Sequence, residues 1–495
     1  MTTRAASSET SRLHFDQGYA RLGAEFVEER TPTPLPAPYL VAFNPDVAAL
    51  LDLPPGIERE TAFVELAAGN AVPPGTKSTA AVYAGHQFGS YVPQLGDGRA
   101  ISLGEIASAR GERFEWQLKG SGTTAFSRFG DGRAVLRSTI REYLCSEAMH
   151  HLGIPTTRAL AIAGSREPVQ RETVESAAVL SRIAPSHLRF GTFEYFHYAG
   201  NAEAVKTLVD YAIDGFFPEL KGSSQPGRYA AFLRAIVLRT ADLVARWQTA
   251  GFAHGVMNTD NMSILGLTLD YGPFGFMEAY EPGFVCNHSD YGGRYAFDRQ
   301  PGVALWNCRA LAAALGSLVT KADAETALGA FEPAFRDAFL SGMRAKLGLS
   351  NAQPEDPRLI VDLLDALAAA RADYPTFFAA VAELGPEPSP LDQRLAAMFG
   401  EPQTLRAWLA RYRIRAARQG DEPRRAATAS AANPRYVLRN HLAQTAIEAA
   451  EAGDFGEVER LWKLLRDPYR EHPGAAAYAR PAPAGAVPVC VSCSS

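Results

Sequence analysis

"HGVMNTDNMSILGLTLDYGPFGF", residues 254–276, places an adjacent Asp260–Asn261 pair and Asp270 on either side of an apolar run. Met262, Ile264, Leu265, Leu267 and Leu269 are dense enough to predict a short buried hairpin that turns at Gly266. Such a hairpin would return both acidic ends to one edge of a sheet. Oxygen ligands gathered there suit a hard cation, since Mg²⁺ is commonly held by one or two carboxylates plus substrate phosphates. Asp, Asn and Gly also make turns without any ligand, so the stretch takes its meaning from what precedes it.

A chain of 495 residues predicts two or three domains or lobes. Its 47% apolar and 21% charged residues are those of a soluble globular protein. The net charge of −5 argues against a broad polyanion-binding surface, so nucleic acid is not an expected partner, although a local basic pocket is compatible with it. No apolar run reaches the length of a membrane span, and the N-terminal residues contain no hydrophobic segment of the signal-peptide kind. A cytoplasmic protein with no membrane partner is expected. Of five cysteines, Cys490 and Cys493 form a Cys-x-x-Cys, which suggests thiol redox chemistry, half a metal site or a redox partner rather than a secreted disulfide framework.

Strand-like, turn-rich sequence dominates from residue 78 to 195, and helical periodicity dominates from 203 onward. Tyr91–Leu95 and Ala100–Leu103 read as strands flanking "GDGR", with "FEWQLKG" (114–120) as a third and "TRALAIAG" and "SAAVLSRI" as a fourth and fifth. A helix is predicted from Ala134 to Leu152, stopped by Gly153 and Pro155. Further helices are predicted at 203–216, 227–250, 301–316, 322–346, 357–372 and 390–399, and another starts at Asn433-Pro434 with Asn as N-cap. The resulting division is an N-terminal extension over 1–77, a sheet-rich lobe over 78–200, a helical lobe over 201–470 and an extended or mobile tail over 471–495.

The string "GDGRA" occurs twice, at 96–100 and 130–134. In the first copy Asp-Gly makes a hairpin turn whose glycines also admit backbone amides close to phosphates. The second leads into the predicted helix, whose N-terminus attracts anions. Lys119 ends "FEWQLKG" beside a glycine-rich turn. On the helix that follows, Glu147 falls among Leu136, Ile140, Tyr143 and Leu144, while Glu142 lies nearly opposite, in line with Val135 and Met149. Either glutamate can pair with Lys119, and a helix apolar on two sides is expected between two layers. Arg182 and Arg189 bracket "IAPSHL"; such arginines are often surface charge, but guanidinium groups also grip phosphate oxygens bidentately.

In order, the parts are a Gly-rich hairpin, a strand lysine, a helix glutamate, a strand into a connector, helices, a His-containing loop with Asp-Asn, and an Asp-x-Gly turn. That is the component order of a protein-kinase-like fold, an α+β architecture with a sheet-rich N-terminal lobe and a larger helical C-terminal lobe with extensions. One departure stands out. A kinase catalytic loop separates its Asp from its Asn, whereas Asp260 and Asn261 are adjacent and Val256 occupies the second position after His254.

Longer strings narrow the reading. "YAGHQFGSYVPQLGDGRA", "WQLKGSGTTAFSRFGDGRAVLRSTIREYLCSEAMHHLGIPTTRAL", "HGVMNTDNMSILGLTLDYGPFGF" and the C-terminal Cys-x-x-Cys resemble the selenoprotein O (YdiU) family, from about residue 10 to the C-terminus. Cysteine fills both terminal positions, and the sequence has no selenocysteine. The resemblance implies a kinase-like nucleotidyltransferase that moves AMP from ATP to Ser, Thr or Tyr hydroxyls of proteins, releases pyrophosphate, extends to UMP from UTP, and uses Mg²⁺ or Mn²⁺. The nucleotide would lie reversed relative to ordinary kinases. Carried over, its contacts fall on Gly96 or Gly98, Arg99, Lys119, Asp131, Gly132, Arg182, Arg189 and Asp270. Glu142 becomes the Lys119 partner, Asp260 the proton acceptor, and Asn261 and Asp270 the metal ligands.

Two other readings use the same parts: a kinase-like phosphotransferase, and a catalytically silent nucleotide-binding redox sensor. The second draws on Cys490 and Cys493, which a flexible tail would bring to Cys286.

Overall fold

The computed structural model describes residues 8–95, 100–128, 130–222, 227–483, 485, 489 and 491. In chain order its strands are β1 (Val27–Glu29), β2 (Tyr39–Phe43), β3 (Thr79–Ala81), β4 (Tyr83–Gln87), β5 (Ser90–Leu95), β6 (Ala100–Ala107), β7 (Arg113–Lys119), β8 (Ala134–Val135), β9 (Arg158–Gln170), β10 (Val174–Ala184), β11 (Phe252–Ala253) and β12 (Gly275–Phe276). Alternation along β7 orients the main sheet. Phe114, Trp116 and Leu118 join one apolar core, and the period of two sends Glu115, Gln117 and Lys119 to the opposite face. Eight strands form this antiparallel sheet in the order β1-β3-β6-β7-β10-β9-β2, with β8 added to β10. β4–β5 and β11–β12 are separate pairs.

α1 (Pro45–Leu50) and α2 (Thr61–Ala67) cover the apolar face, packing Val47, Phe63 and Leu66 into one cluster with Trp116, Leu118 and Leu160. Residues 8–77 are built into the sheet: β1 and β2 are its two edges, and α1 and α2 complete its core. The helices that follow are α3 (Leu136–His151), α4 (Phe190–Tyr198), α5 (Ala202–Phe216), α6 (Gly227–Ala250), α7 (Gln300–Ala314), α8 (Lys321–Gly329), α9 (Phe331–Lys346), α10 (Asp356–Ala370), α11 (Tyr374–Val381), α12 (Pro390–Ala396), α13 (Pro402–Ala417), α14 (Glu422–Ala432), α15 (Asn440–Glu451) and α16 (Gly456–Arg466). α3 is sandwiched between β9–β10 and α15–α16, which is why it is buried on nearly every side. α10 to α14 enclose a separate apolar core around Phe377, Trp408 and Leu363. Among the described residues no helix is long and apolar enough to cross a membrane.

Several local expectations are corrected. β5 pairs with β4 and β6 with β7, so the first "GDGRA" does not join paired strands; Gly96, Gly98 and Arg99 lie outside the described residues. The second copy passes through β8 before α3 begins at Leu136. Residues 262–269 form no hairpin. Ser263 bridges to Arg189 and Thr268 to Thr156, so the apolar side chains plug neighbouring layers rather than pair with one another. The ends of the stretch are brought together instead by β11 and β12.

The expected helix 322–346 breaks at Ala330, because Pro333 is tolerated only in a first turn, here that of α9. Asn433 caps the C-terminus of α14 and donates to the Lys346 carbonyl at 2.7 Å; as the residue before Pro434 it is extended, and the next helix waits until Asn440. The described part of the tail is docked rather than loose: Tyr478 donates to Glu457 at 2.7 Å, and the Ala482 amide to Glu278 at 3.2 Å.

Candidate functional site

The polar face of the sheet supplies one wall. β10 runs antiparallel to β7 with Arg182 opposite Gln117, so both side chains share that face and Arg182 donates to the Gln117 carboxamide oxygen. Lys119 Nζ lies 2.5 Å from Glu142 Oε2, whereas Glu147 is bound by Arg158 at 2.7 and 2.6 Å. Arg189 immediately precedes α4 and stacks on Tyr83, with its guanidinium carbon 4.9 Å from the ring centroid. Its Nη1 donates to the Asp260 carbonyl at 2.7 Å and also to Asp270. Asp270 adopts a left-handed backbone (φ 58°), which Asp tolerates better than most residues, and its carboxylate accepts from both Arg182 and Arg189 with Lys119 Nζ at 3.9 Å.

Lys119, Arg182, Arg189, Tyr83 and Asp270 line a cavity of about 370 Å³ with Asp260, Asn261, Asn258, Phe88 and Arg128. Burial opposes ionisation of Asp270, but Arg189, Arg182 and Lys119 outweigh it and hold the carboxyl well below the usual range. Asp260 behaves oppositely. Burial, aided by the charges of Asp270 and Glu194 and only partly offset by Arg189, pushes it up to about 7. Its Oδ1 is buried with no hydrogen-bond partner among the described residues. His254, at the start of the loop, is structural: it is buried, its backbone amide donates to Gln300, and its Nε2 lies 3.0 Å from the Leu269 carbonyl.

The comparisons fit this basic, carboxylate-bearing cavity. A family model described as "Protein adenylyltransferase SelO" matches residues 9–466. The chain is 53% identical over 485 residues to "Protein nucleotidyltransferase YdiU" of Myxococcus xanthus, covering 98% of this chain and 99% of that one. It is also 53% identical over 490 residues to the protein of the same description from Thioalkalivibrio sulfidiphilus, with the same two coverages. The chain belongs to the SelO family of protein adenylyltransferases. It is therefore a nucleotidyltransferase, for which ATP is the implied substrate and proteins the implied acceptors.

Within this family member, the structure gathers Lys119, Arg182, Arg189, Asp260, Asn261 and Asp270 around one cavity, with Glu142 behind Lys119. Asp131 and Gly132 are elsewhere. Asp131 is half-exposed and pairs with Arg171 at 2.7 Å, and neither residue lines the cavity. Arg128, Asn258, Phe88 and Tyr83 line it without having been singled out. Tyr83 and Phe88 sit in the "YAGHQFG" string, whose glycines and aromatics gave no chemical signal of their own. Cys490 and Cys493 lie outside the described residues; Val491 between them is buried and its carbonyl accepts from the His288 amide at 3.0 Å.

Oxygen donors suited to a divalent cation are present. Asp270, Asn261 and the unpartnered Asp260 Oδ1 offer an all-oxygen set lining the same cavity, which is the chemistry Mg²⁺ and Mn²⁺ prefer. Among the described residues no cluster of three His, Cys, Asp or Glu side chains could hold a metal alone, so phosphate oxygens would have to complete the shell.

Proposed function

We propose that this chain transfers AMP from ATP to Ser, Thr or Tyr hydroxyls of protein acceptors, and UMP from UTP by the same route, on a kinase-like two-lobe fold. The observation that carries the reading is the convergence of Lys119, Arg182 and Arg189 on Asp270 in a cavity that Asp260 also lines, a buried carboxyl whose Oδ1 has no partner among the described residues. Phosphate oxygens compete with Asp270 for the two guanidinium groups, which are oriented in advance by Gln117, Tyr83 and the Asp260 carbonyl.

The acceptor oxygen forms a bond to the α-phosphorus while the bond from that phosphorus to the bridging oxygen breaks, and pyrophosphate leaves. Lys119, Arg182 and Arg189 stabilise the charge that grows on the leaving oxygens, in a buried setting where such contacts are strong. Asp260 orients the hydroxyl and takes its proton; a carboxyl at about 7 is well matched to that task near neutral pH. Asn261 and Asp270 would hold Mg²⁺ or Mn²⁺, which when bound neutralises phosphate charge.

Label from α-³²P-ATP is expected to enter acceptor protein, and label from γ-³²P-ATP is not. The reverse pattern makes the chain a phosphotransferase. No transfer of either label, with nucleotide still bound, makes it a silent nucleotide-binding module.

A further inference from the structure

Residues just before Asp260 belong to a second buried polar cluster, which the transfer chemistry above leaves unused. The Thr259 hydroxyl donates to Glu194 Oε2 at 2.5 Å and accepts from the His86 amide at 2.7 Å. The other Glu194 oxygen lies 2.8 Å from His86 Nδ1. Glu194 and Thr259 are fully buried. Glu194 comes from α4, His86 from β4, and Thr259 from the turn that carries Asp260, so three distant elements meet at one carboxylate.

The tip of the β4–β5 hairpin is fixed at a second point. The Phe88 amide donates to Tyr295 Oη at 2.9 Å and to Asn258 Oδ1 at 3.2 Å, and the Tyr295 hydroxyl donates to the same Asn258 oxygen at 2.6 Å. Two glycines permit the close approach. A Cβ on Gly85 would stand 2.7 Å from Asp260 Oδ1, and one on Gly191 would stand 2.0 Å from the Ala84 carbonyl oxygen. Because Asp260 Oδ1 has no partner of its own among the described residues, the aim of that carboxyl is set by the backbone around it.

We propose that Glu194 is a positioning residue: through Thr259 and His86 it clasps the β4–β5 hairpin to the Asp260 turn and holds the Asp260 carboxyl at one place in the cavity. The proposal deepens the reading of Asp260 as proton acceptor and rests on it. Proton transfer requires hydrogen-bond reach, and a displacement of about 1 Å at a reacting group can cost about 100-fold in rate. Buried networks with every member satisfied fix one geometry, and loss of a member leaves its partners unpaired. The Glu147–Arg158 pair is a useful contrast. It is as deeply buried, joins α3 to β9, and includes no residue of the cavity wall.

Thr259→Val removes the hydroxyl at nearly constant volume, Thr259→Ser keeps it, and Glu194→Gln keeps the shape of the side chain. Thr259→Val and Glu194→Gln are expected to lower kcat for α-³²P-ATP transfer by about 10- to 100-fold, with KM for ATP within about 2-fold of wild type. Neither substitution touches Lys119, Arg182 or Arg189. Thr259→Ser is expected to stay within about 3-fold of wild type in kcat. Hydrogen exchange on the full chain provides a readout independent of turnover: residues 84–90 and 256–262 exchange faster in Thr259→Val and at the wild-type rate in Thr259→Ser. Wild-type exchange in Thr259→Val overturns the clasp whether or not the chain transfers AMP. Equal kcat loss in Thr259→Ser, or a matching rise in KM for ATP, also overturns it, since the hydroxyl would then have no special role. Faster exchange in Thr259→Val, in a wild-type chain that transfers no α-label, upholds the clasp and overturns instead the assignment of Asp260.

Discussion

Lys119 and Lys346 are both largely withdrawn from solvent, yet Lys119 has one carboxylate at 2.5 Å and a second at 3.9 Å, whereas Lys346 has none among the described residues. Lys346 Nζ instead lies 4.5 Å from the Phe378 ring centroid and 5.2 Å from that of Tyr374. Ring faces recover only part of what a buried ammonium loses on leaving water. Burial consequently pushes Lys346 down to about 7. The contrast teaches that a largely buried cation is a candidate for binding when carboxylates and further cations share its cavity; burial by itself marks only a cost to stability.

The sharpest way to break that contrast is to remove each ammonium. Lys119→Met is expected to reduce nucleotidyl transfer by about 100- to 1,000-fold, the loss typical of a donor aimed at developing charge. Lys346→Met is expected to leave transfer within about 2-fold, measured with α-³²P-ATP; a comparable loss there would erase the distinction.

Stability inverts the ranking. Lys346→Met is expected to raise the free energy of unfolding by about 2 to 4 kcal/mol below pH 7, because the unfolded lysine titrates near 10.4 and the folded one near 7. Between those values the unfolded chain binds more protons, so wild-type stability climbs with pH and the advantage of the variant shrinks. Urea unfolding of both proteins at pH 6.5 and pH 9.5 measures this, and an advantage that does not shrink would mean that Lys346 is not buried as a cation.

The smallest expected effect concerns the two glutamates of α3. Glu142→Gln weakens the hold on Lys119 and is expected to lower kcat/KM by about 3- to 10-fold, on the order of 1 kcal/mol. Glu147→Gln disturbs Arg158 and the Ala159 amide, neither of which lines the cavity, and is expected to lower the melting temperature while leaving kcat/KM unchanged. Steady-state kinetics on the two variants, side by side with thermal melts, would sharpen the division between site and scaffold.

Sequence pattern carried the scaffold further than the site. β7 was legible because its period of two is strict, and α3 because its apolar residues occupy two sides. Helical angles could not say which side faced the sheet, so the choice between Glu142 and Glu147 needed the layers themselves. Asn433-Pro434 misled for a physical reason: Asn before Pro is favourable both as a helix start and just past a helix end. The approach of Asp260 to Asp270 was anticipated through a hairpin that does not exist. Arg189 and the β11–β12 pair make that approach, and neither contact has a local signature. Glu194 left no pattern at all, since its partners come from segments distant in sequence.

That remoteness has a bearing on how the enzyme is born. His86 and Thr259 stand 173 positions apart, and Phe88 and Tyr295 stand 207 apart. The main sheet can close once β10 has left the ribosome, but the hairpin must wait for its counterpart. At translation rates of about 5 to 20 residues per second the delay is on the order of ten seconds or more, during which the His86 and Phe88 amides lack their partners. Protease cleavage near residue 88 is expected in ribosome-bound chains arrested before the Asp260 turn and not in those arrested beyond α7. Synthesis thus imposes its own order of assembly: scaffold first, and a competent pocket only after the second half of the chain has arrived.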